Sequence, residues 1–312
     1  MADQITRKQH FVPQFYLKPF LNDSGQVEVM NCQHGRLGIP KSPKSICYRH
    51  FFYGLETGTY DESSQAIEAC FSELEDKLSK CMPELVNKIL NNEHMYGQEK
   101  WTISLLMSML WIRVPSFRQW SKQSQEKMLK DTMGIASQFP GFEKGFDRVE
   151  KELDTVISDE NREKIRTMFL EGAYNVEINN HLHHKMFESI ENFANLFFAQ
   201  YWTVYISNSN RKFVTSDNPV SIVTPKRDTF YGAGFLERKH YLSLTPKICI
   251  VSSYPNTDGK NIKRKCLYEK DSQKVLEINS ILADRAYEYT YSQEKKELDE
   301  LIKLRFHVKS SR

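Results

Sequence analysis

Strand-like sequence at both ends of the chain brackets one long run of helical pattern, and that order leaves few folds open. Behind the capping and first-turn residues Asp61-Glu62-Ser63-Ser64, apolar side chains recur at helical spacing as Ile67, Cys70, Phe71, Leu74 and Leu78. Pro83 is expected to end or bend this helix. A second helix is predicted from Gln98 to Val114, apolar on most sides and therefore the buried centre of the block. Pro115 should break it. An amphipathic helix then follows over Phe117–Met133, a loop at Phe139-Pro140-Gly141-Phe142, and helices over Asp159–Glu171 and Glu177–Gln200.

The ends read differently. Gln26-Val27-Glu28-Val29-Met30 alternates with period two after the turn Asn22-Asp23-Ser24-Gly25, and Ser45 to Tyr53 is aromatic-rich and β-like. Tyr201–Ile206, Tyr241–Ser253 and Ala286–Ser292 are further strand candidates, with helices near Asp271–Asp284 and over Glu294–Leu304. The expectation is an α+β fold. Residues 1–60 and 201–312 would form a β-rich core with a mixed or antiparallel sheet, and the helical block 61–200 would be inserted between them.

A net charge of +3, from 43 basic and 40 acidic residues, is low for a dedicated nucleic-acid binder. Local basic clusters remain at Arg36, Lys41 and Lys44, at Lys226-Arg227, at Arg238-Lys239-His240 and at Lys260 with Lys263-Arg264-Lys265. Ordinary solvated loop charge is the plain reading; with Phe230, Tyr231, Phe235 and Tyr241 interleaved, the alternative is a surface for unpaired bases, RNA before DNA. No apolar stretch approaches the length of a membrane span. The first residues carry no apolar signal core, and the six cysteines form no C-x-x-C pair. A cytoplasmic protein with reduced cysteines and no zinc site is expected.

Candidate chemistry starts near the N-terminus. His10 and Gln14 lie in the aromatic, proline-containing run Lys8–Phe20, apolar enough to be buried, so both are expected inside a folded site. Ser216-Asp217-Asn218-Pro219 at a strand end reads as an Asx-type turn. In the functional alternative Asp217 is a general base or metal ligand, and Asn218 orients a ribose or phosphate. Arg113 at the end of the apolar helix suits the helix dipole, or a bidentate grip on a dinucleotide phosphate. His181, His183 and His184 lack the carboxylate spacing of a metal-binding helix and read as a solvated or partner-facing surface.

The segment His10-Phe-Val-Pro-Gln-Phe-Tyr-Leu17 closely resembles the start of a bacterial family of uncharacterised proteins, domain of unknown function 4238. Arg113-Val-Pro115, Phe213-Val-Thr-Ser-Asp-Asn-Pro-Val220, Leu242-Ser-Leu-Thr-Pro246 and the late Asn279, Ala283-Asp-Arg285 and Tyr291-Ser292 fit the same family in order. The resemblance implies a stand-alone cytosolic protein, with some members similar to components of phage-defence or toxin–antitoxin loci. A fainter similarity links His10 and Leu17 to the opening of nucleic-acid-modifying ADP-ribosyltransferases. It implies NAD as a substrate, His10 on its ribose, Tyr53 or Ser216 at the nicotinamide, and Glu288 stabilising the developing positive charge.

The functional expectation is a toxin-like defence effector that transfers ADP-ribose from NAD to RNA, with Arg113 at the pyrophosphate and an antitoxin or chaperone as protein partner. One alternative is a metal-dependent nuclease or phosphodiesterase using His10, Asp217 and Asn218. The other is a non-catalytic sensor or adaptor that docks a protein partner.

Overall fold

The structure, a computed structural model, describes residues 5–54, 60, 62–178, 181–224, 238–254 and 262–307. The chain divides into two compact units, residues 1–117 with 183–312, and residues 118–182. The inserted unit is thus narrower than the expected block 61–200. The long helices before residue 118 and the helix before residue 200 fold with the sheets.

In the larger unit, β1 (Lys8–His10), α1 (Gln14–Leu17), β2 (Glu28–Asn31), β3 (Arg36–Leu37) and β4 (Tyr48–His50) precede α2 (Glu62–Leu90) and α3 (Gly97–Ile112). Next come α4 (Pro115–Ala136), α5 (Glu143–Leu153), α6 (Asp159–Glu171), α7 (His181–Glu188) and α8 (Ile190–Phe198). The chain closes with β5 (Tyr201–Ser207), β6 (Thr215–Ser216), β7 (Val220–Val223), β8 (Lys239–Thr245), β9 (Ile248–Ser253), β10 (Ile262–Leu267), α9 (Ser272–Asp284), β11 (Tyr289–Ser292) and α10 (Lys295–Ile302).

The α+β class holds, with three sheets among the described residues rather than one. The five-stranded sheet has the order β10-β5-β9-β8-β7, with β10 parallel to β5 and the rest antiparallel. A four-stranded sheet, β3-β2-β11-β6, joins the two ends of the chain as expected, and β1 and β4 form a separate ribbon. The expected strand Tyr241–Ser253 is a hairpin, since Pro246 and Lys247 break it. Both faces of the large sheet are covered. Trp202, Val204, Leu242 and Ile250 belong to the core that contains Ile103, Leu106 and Leu110 of α3 and Phe197 of α8. Tyr241 and Cys249, offset by one residue, belong to the core of α9 and α10 with Val275, Ile278 and Leu298. That double cover buries β8 on both faces from His240 to Thr245.

The helices differ from expectation in detail. α2 runs through the exposed Pro83, so of the two outcomes expected there the helix does not end. The helix expected over Glu177–Gln200 is two, α7 and α8, broken at Ser189. Trp120 is 46% exposed, whereas Trp111 is buried against Phe117 and Phe193. α6 falls on its expected bounds because both ends are chemically marked. The Ser158 hydroxyl accepts from the Asn161 N–H, and Gly172 takes the left-handed φ of 64° that closes the helix.

In the inserted unit, Arg162 of α6 reaches Glu143 (3.1 Å), Asp147 (3.4 Å) and Glu150 (2.8 Å) around α5. Above them lies an apolar groove of about 690 Å³ lined by Phe139, Phe142, Phe146 and Phe169. No helix among the described residues is long and apolar enough to cross a membrane. The clustered residues Lys226-Arg227, Phe230, Tyr231, Phe235 and Lys260 lie outside the described residues, as do the side chains of His181 and His183.

Candidate functional site

Two arrangements in the larger unit collect the candidate side chains. The first is closed. Arg113, one residue past α3, is 1% exposed, and its guanidinium lies 4.3 Å from the Phe71 ring centroid. Its Nε donates to the Tyr53 hydroxyl at 2.8 Å, one terminal nitrogen to Glu75 at 2.6 Å, and the other to the His10 carbonyl oxygen. The Tyr53 hydroxyl in turn donates to that same carbonyl at 3.0 Å. Gln9 completes the node, accepting from the Tyr53 N–H at 2.8 Å and donating to the Ser64 carbonyl at 3.3 Å. Conformation follows from chemistry here. Arg113 draws β1 and Tyr53 onto α2 because its fork needs several acceptors once it is out of water.

This geometry gives Tyr53 and Arg113 structural work. The Tyr53 ring is packed against Phe52, Phe71 and Phe187 at 5.3–5.6 Å and has no free face for nicotinamide. A pyrophosphate could reach Arg113 only by displacing Glu75. Behind them, burial pushes the Glu68 carboxyl up to about 7; Arg113 opposes the rise and Glu75 adds to it. One Glu68 oxygen has no hydrogen-bond partner among the described residues.

The second arrangement is open. A cleft of about 360 Å³ lies between β4 and the chain entering β11. Tyr48 and Arg49 come from β4, Tyr287, Glu288, Tyr289 and Tyr291 from the β11 end, with Lys41 and Asp217 alongside. Arg49 stands 5.7 Å from the Tyr287 ring centroid and Lys41 6.0 Å from that of Tyr289. Cys47 and Phe51, at φ 53° and 48°, bracket β4, so the expected strand Ser45–Tyr53 shrinks to three residues. Left-handed φ at non-glycine residues is strained and survives where surrounding contacts impose it. Backbone bonds from Phe11 N–H to Cys47 O (2.8 Å) and from Phe51 N–H to Arg7 O (2.9 Å) impose it here.

Asp217 shapes the other wall. It is 3% exposed, and its two oxygens accept the backbone N–H groups of Tyr287 (2.8 Å), Glu288 (2.8 Å) and Tyr289 (2.9 Å). Burial raises its carboxyl to about 6, with the three N–H groups pulling the other way. Gathering those donors bends the chain, so β11 begins at Tyr289 and not at Ala286. Glu288, inside the expected strand, therefore lies outside β11, on the cleft wall. Asn218 donates to the Arg285 carbonyl at 2.7 Å and accepts from the Ser116 hydroxyl at 3.0 Å, while Ser216 accepts the Asn218 N–H at 3.1 Å. The Ser-Asp-Asn-Pro motif is a clamp between distant segments, with only Ser216 making the local turn.

The structure therefore brings Asp217 and Glu288 to the cleft and His10, Tyr53 and Arg113 to the closed node. Ser216 and Asn218 line neither, and Gln14, half-buried on α1, belongs to neither set. Tyr48 connects the two, since it lines the cleft and its ring lies 5.6 Å from the His10 imidazole. Burial lowers the His10 pKa; Glu75 resists, and Arg113 adds to the lowering. Lys41, Tyr48, Arg49 and the tyrosine ladder were not singled out as site residues. The alternation Tyr287, Tyr289, Tyr291 was the signal available for the ladder. Among the described residues no group of three or more His, Cys, Asp or Glu side chains could hold a metal ion.

Residues 8–296 match a family model described as protein of unknown function (DUF4238). The chain belongs to this DUF4238 family. No curated protein and no solved structure matches it. Within this DUF4238 chain, the motifs that carried the resemblance are mostly clamps. Asn279, for example, accepts the Val214 N–H at 3.1 Å and donates to the Lys212 carbonyl at 2.8 Å, holding the approach to β6.

Proposed function

We propose that the DUF4238 chain binds a nucleotide in the tyrosine-walled cleft and transfers ADP-ribose from NAD to nucleic acid. One observation carries the reading. Four tyrosines, two cations and the Glu288 carboxylate share a cleft of about 360 Å³. Rings accept a planar base, cations accept phosphate, and the carboxylate suits positive charge developing on a ribose. The volume lies near the lower end of small-molecule sites, roughly 300–1,000 Å³. It fits one nucleotide half of NAD rather than the whole.

NAD supplies a ribosyl carbon whose bond to nicotinamide breaks while an acceptor oxygen or nitrogen of the nucleic acid bonds to it and releases a proton to solvent. In this reading Arg49 and Lys41 hold phosphate, Tyr289 stacks a ring, and Glu288 faces the reacting carbon. Asp217 acts as a positioning residue that aims the 287–289 segment. His10 orients Tyr48 from behind. The metal-dependent alternative draws less support, because Asp217 is already committed to three N–H donors.

The test is label transfer from NAD to total RNA by the purified chain. Wild type should transfer label in the presence of EDTA. Glu288→Gln should lose at least about 100-fold in rate, the size of a lost electrostatic contact in the transition state, with NAD affinity little changed. Expression should arrest growth as a toxin-like effector does, and Glu288→Gln should relieve the arrest. Absence of transfer from wild type would overturn the reading.

A further inference from the structure

The β1–β4 ribbon carries a surface beyond Tyr48 and Arg49 that the nucleotide reading leaves unused. Residues 1–50 hold seven Lys and Arg against three Asp and Glu, so this segment carries the positive balance of a chain whose net charge is only +3. Lys8 and Lys44 are exposed, and among the described residues neither they nor Lys41 and Arg49 form an ion pair. Many cations elsewhere in the larger unit, such as Lys88 and Arg113, have acidic partners.

Register puts aromatic rings beside Lys8, and the Lys44 backbone hydrogen-bonds the His10 side chain on the same ribbon. Lys8 is opposite His50 and His10 opposite Tyr48, so the four share one face of the ribbon. The Lys8 ammonium lies 4.6 Å from the Tyr48 ring centroid, and the exposed His50 ring stacks along Tyr48 at 6.1 Å and 25°. Tyr48 also lines the cleft. A strip of unpaired cations and accessible rings therefore runs into the mouth of the nucleotide site.

We infer that the β1–β4 ribbon is a track for single-stranded nucleic acid, which brings an acceptor on the strand to the mouth of the cleft. Phosphates lie along Lys8 and Lys44, and a base stacks on the exposed His50 ring. A duplex hides the faces this ring would contact, whereas a single strand offers them. The inference rests on the proposed function only for what happens in the cleft; the track stands on charge and ring geometry of its own.

The experiment is fluorescence anisotropy of the full chain with labelled twelve-nucleotide oligo(U), oligo(dT) and a duplex of the same length, at several salt concentrations. Single strands should bind, with log affinity falling linearly against log salt. The double variant Lys8→Glu with Lys44→Glu should weaken binding at least tenfold and flatten the salt slope by about 1.4, two phosphate contacts on single strands. The melting curve of that variant should match wild type, and its affinity for a mononucleotide should be unchanged. Equal binding of the two single strands, or preference for RNA, supports the track. No single-strand binding, duplex binding as tight as single-strand, or an undiminished double variant overturns it. Loss of mononucleotide binding in Tyr289→Ala with strand binding retained would separate failure of the cleft from failure of the track.

Discussion

The Arg113 node and the tyrosine cleft use the same residue types to opposite ends. Each sets arginine and tyrosine beside a glutamate, and each takes chain from the N-terminal fifty residues. In the node the arginine is 1% exposed and its donors end on Tyr53, Glu75 and the His10 carbonyl. In the cleft Arg49 is half-buried, faces the Tyr287 ring, and forms no ion pair among the described residues. Closure separates structure from function here. A guanidinium whose acceptors all come from its own chain holds the fold together. One that meets only a ring keeps its hydrogen-bonding capacity for a ligand.

The comparison can be broken most severely at Arg113. Arg113→Ala leaves Glu75 without its partner beside a buried site, and loss of a buried ion pair costs about 3–5 kcal/mol. Chemical denaturation should show that loss, and Arg113→Lys should recover little of it because one ammonium cannot reproduce the fork. A stable Arg113→Ala protein would remove the node from the account. Next in size is Asp217→Ala. It removes an acceptor of three backbone N–H groups, and hydrogen bonds to a charged group contribute about 1.5–3 kcal/mol each at most. Burial of the carboxyl offsets much of that sum, so stability should fall by about 2–3 kcal/mol, and nucleotide binding should fall with it because the 287–289 wall relaxes.

The open side should behave in reverse. Tyr289→Ala should leave the denaturation midpoint close to wild type and weaken nucleotide binding by about 10- to 100-fold, the scale of one lost stacking contact. A large stability loss without a binding loss would make the tyrosine ladder a second structural core. The smallest effect concerns pH. The Glu68 carboxyl is raised from 4.5 to about 7 in the folded chain, so the folded state binds its proton more tightly than the unfolded state. The stabilisation is complete below pH 4.5 and is lost as pH rises through about 7. Melting temperatures measured across that window should decline for wild type, and the decline should be shallower in Glu68→Gln.

What the sequence reveals follows the range of the forces involved. α3 was legible because apolar residues surround it, and α6 because Ser158 and Gly172 mark its ends within a few residues. The joining of both chain ends in one sheet was legible from the alternation at Gln26–Met30 and near Tyr291. Glu288 was misplaced onto a strand because the bend before β11 is imposed by Asp217, some seventy positions earlier. Tyr53 and Tyr48 were equally aromatic and five residues apart. Only the left-handed turns at Cys47 and Phe51, together with Arg113 from α3, decide which is sealed and which faces the cleft. His10 is half-buried beside Tyr48, yet the atom it gives Arg113 is its backbone carbonyl, which no side-chain pattern encodes.

The most direct test of the central claim is a calorimetric titration of NAD into wild-type chain and Tyr289→Ala, each first shown to be folded. The account predicts saturable binding at one site in wild type and a loss of about 10-fold or more in Tyr289→Ala. Wild-type protein that binds no NAD, or a variant that binds it as tightly as wild type, would contradict the assignment of the cleft.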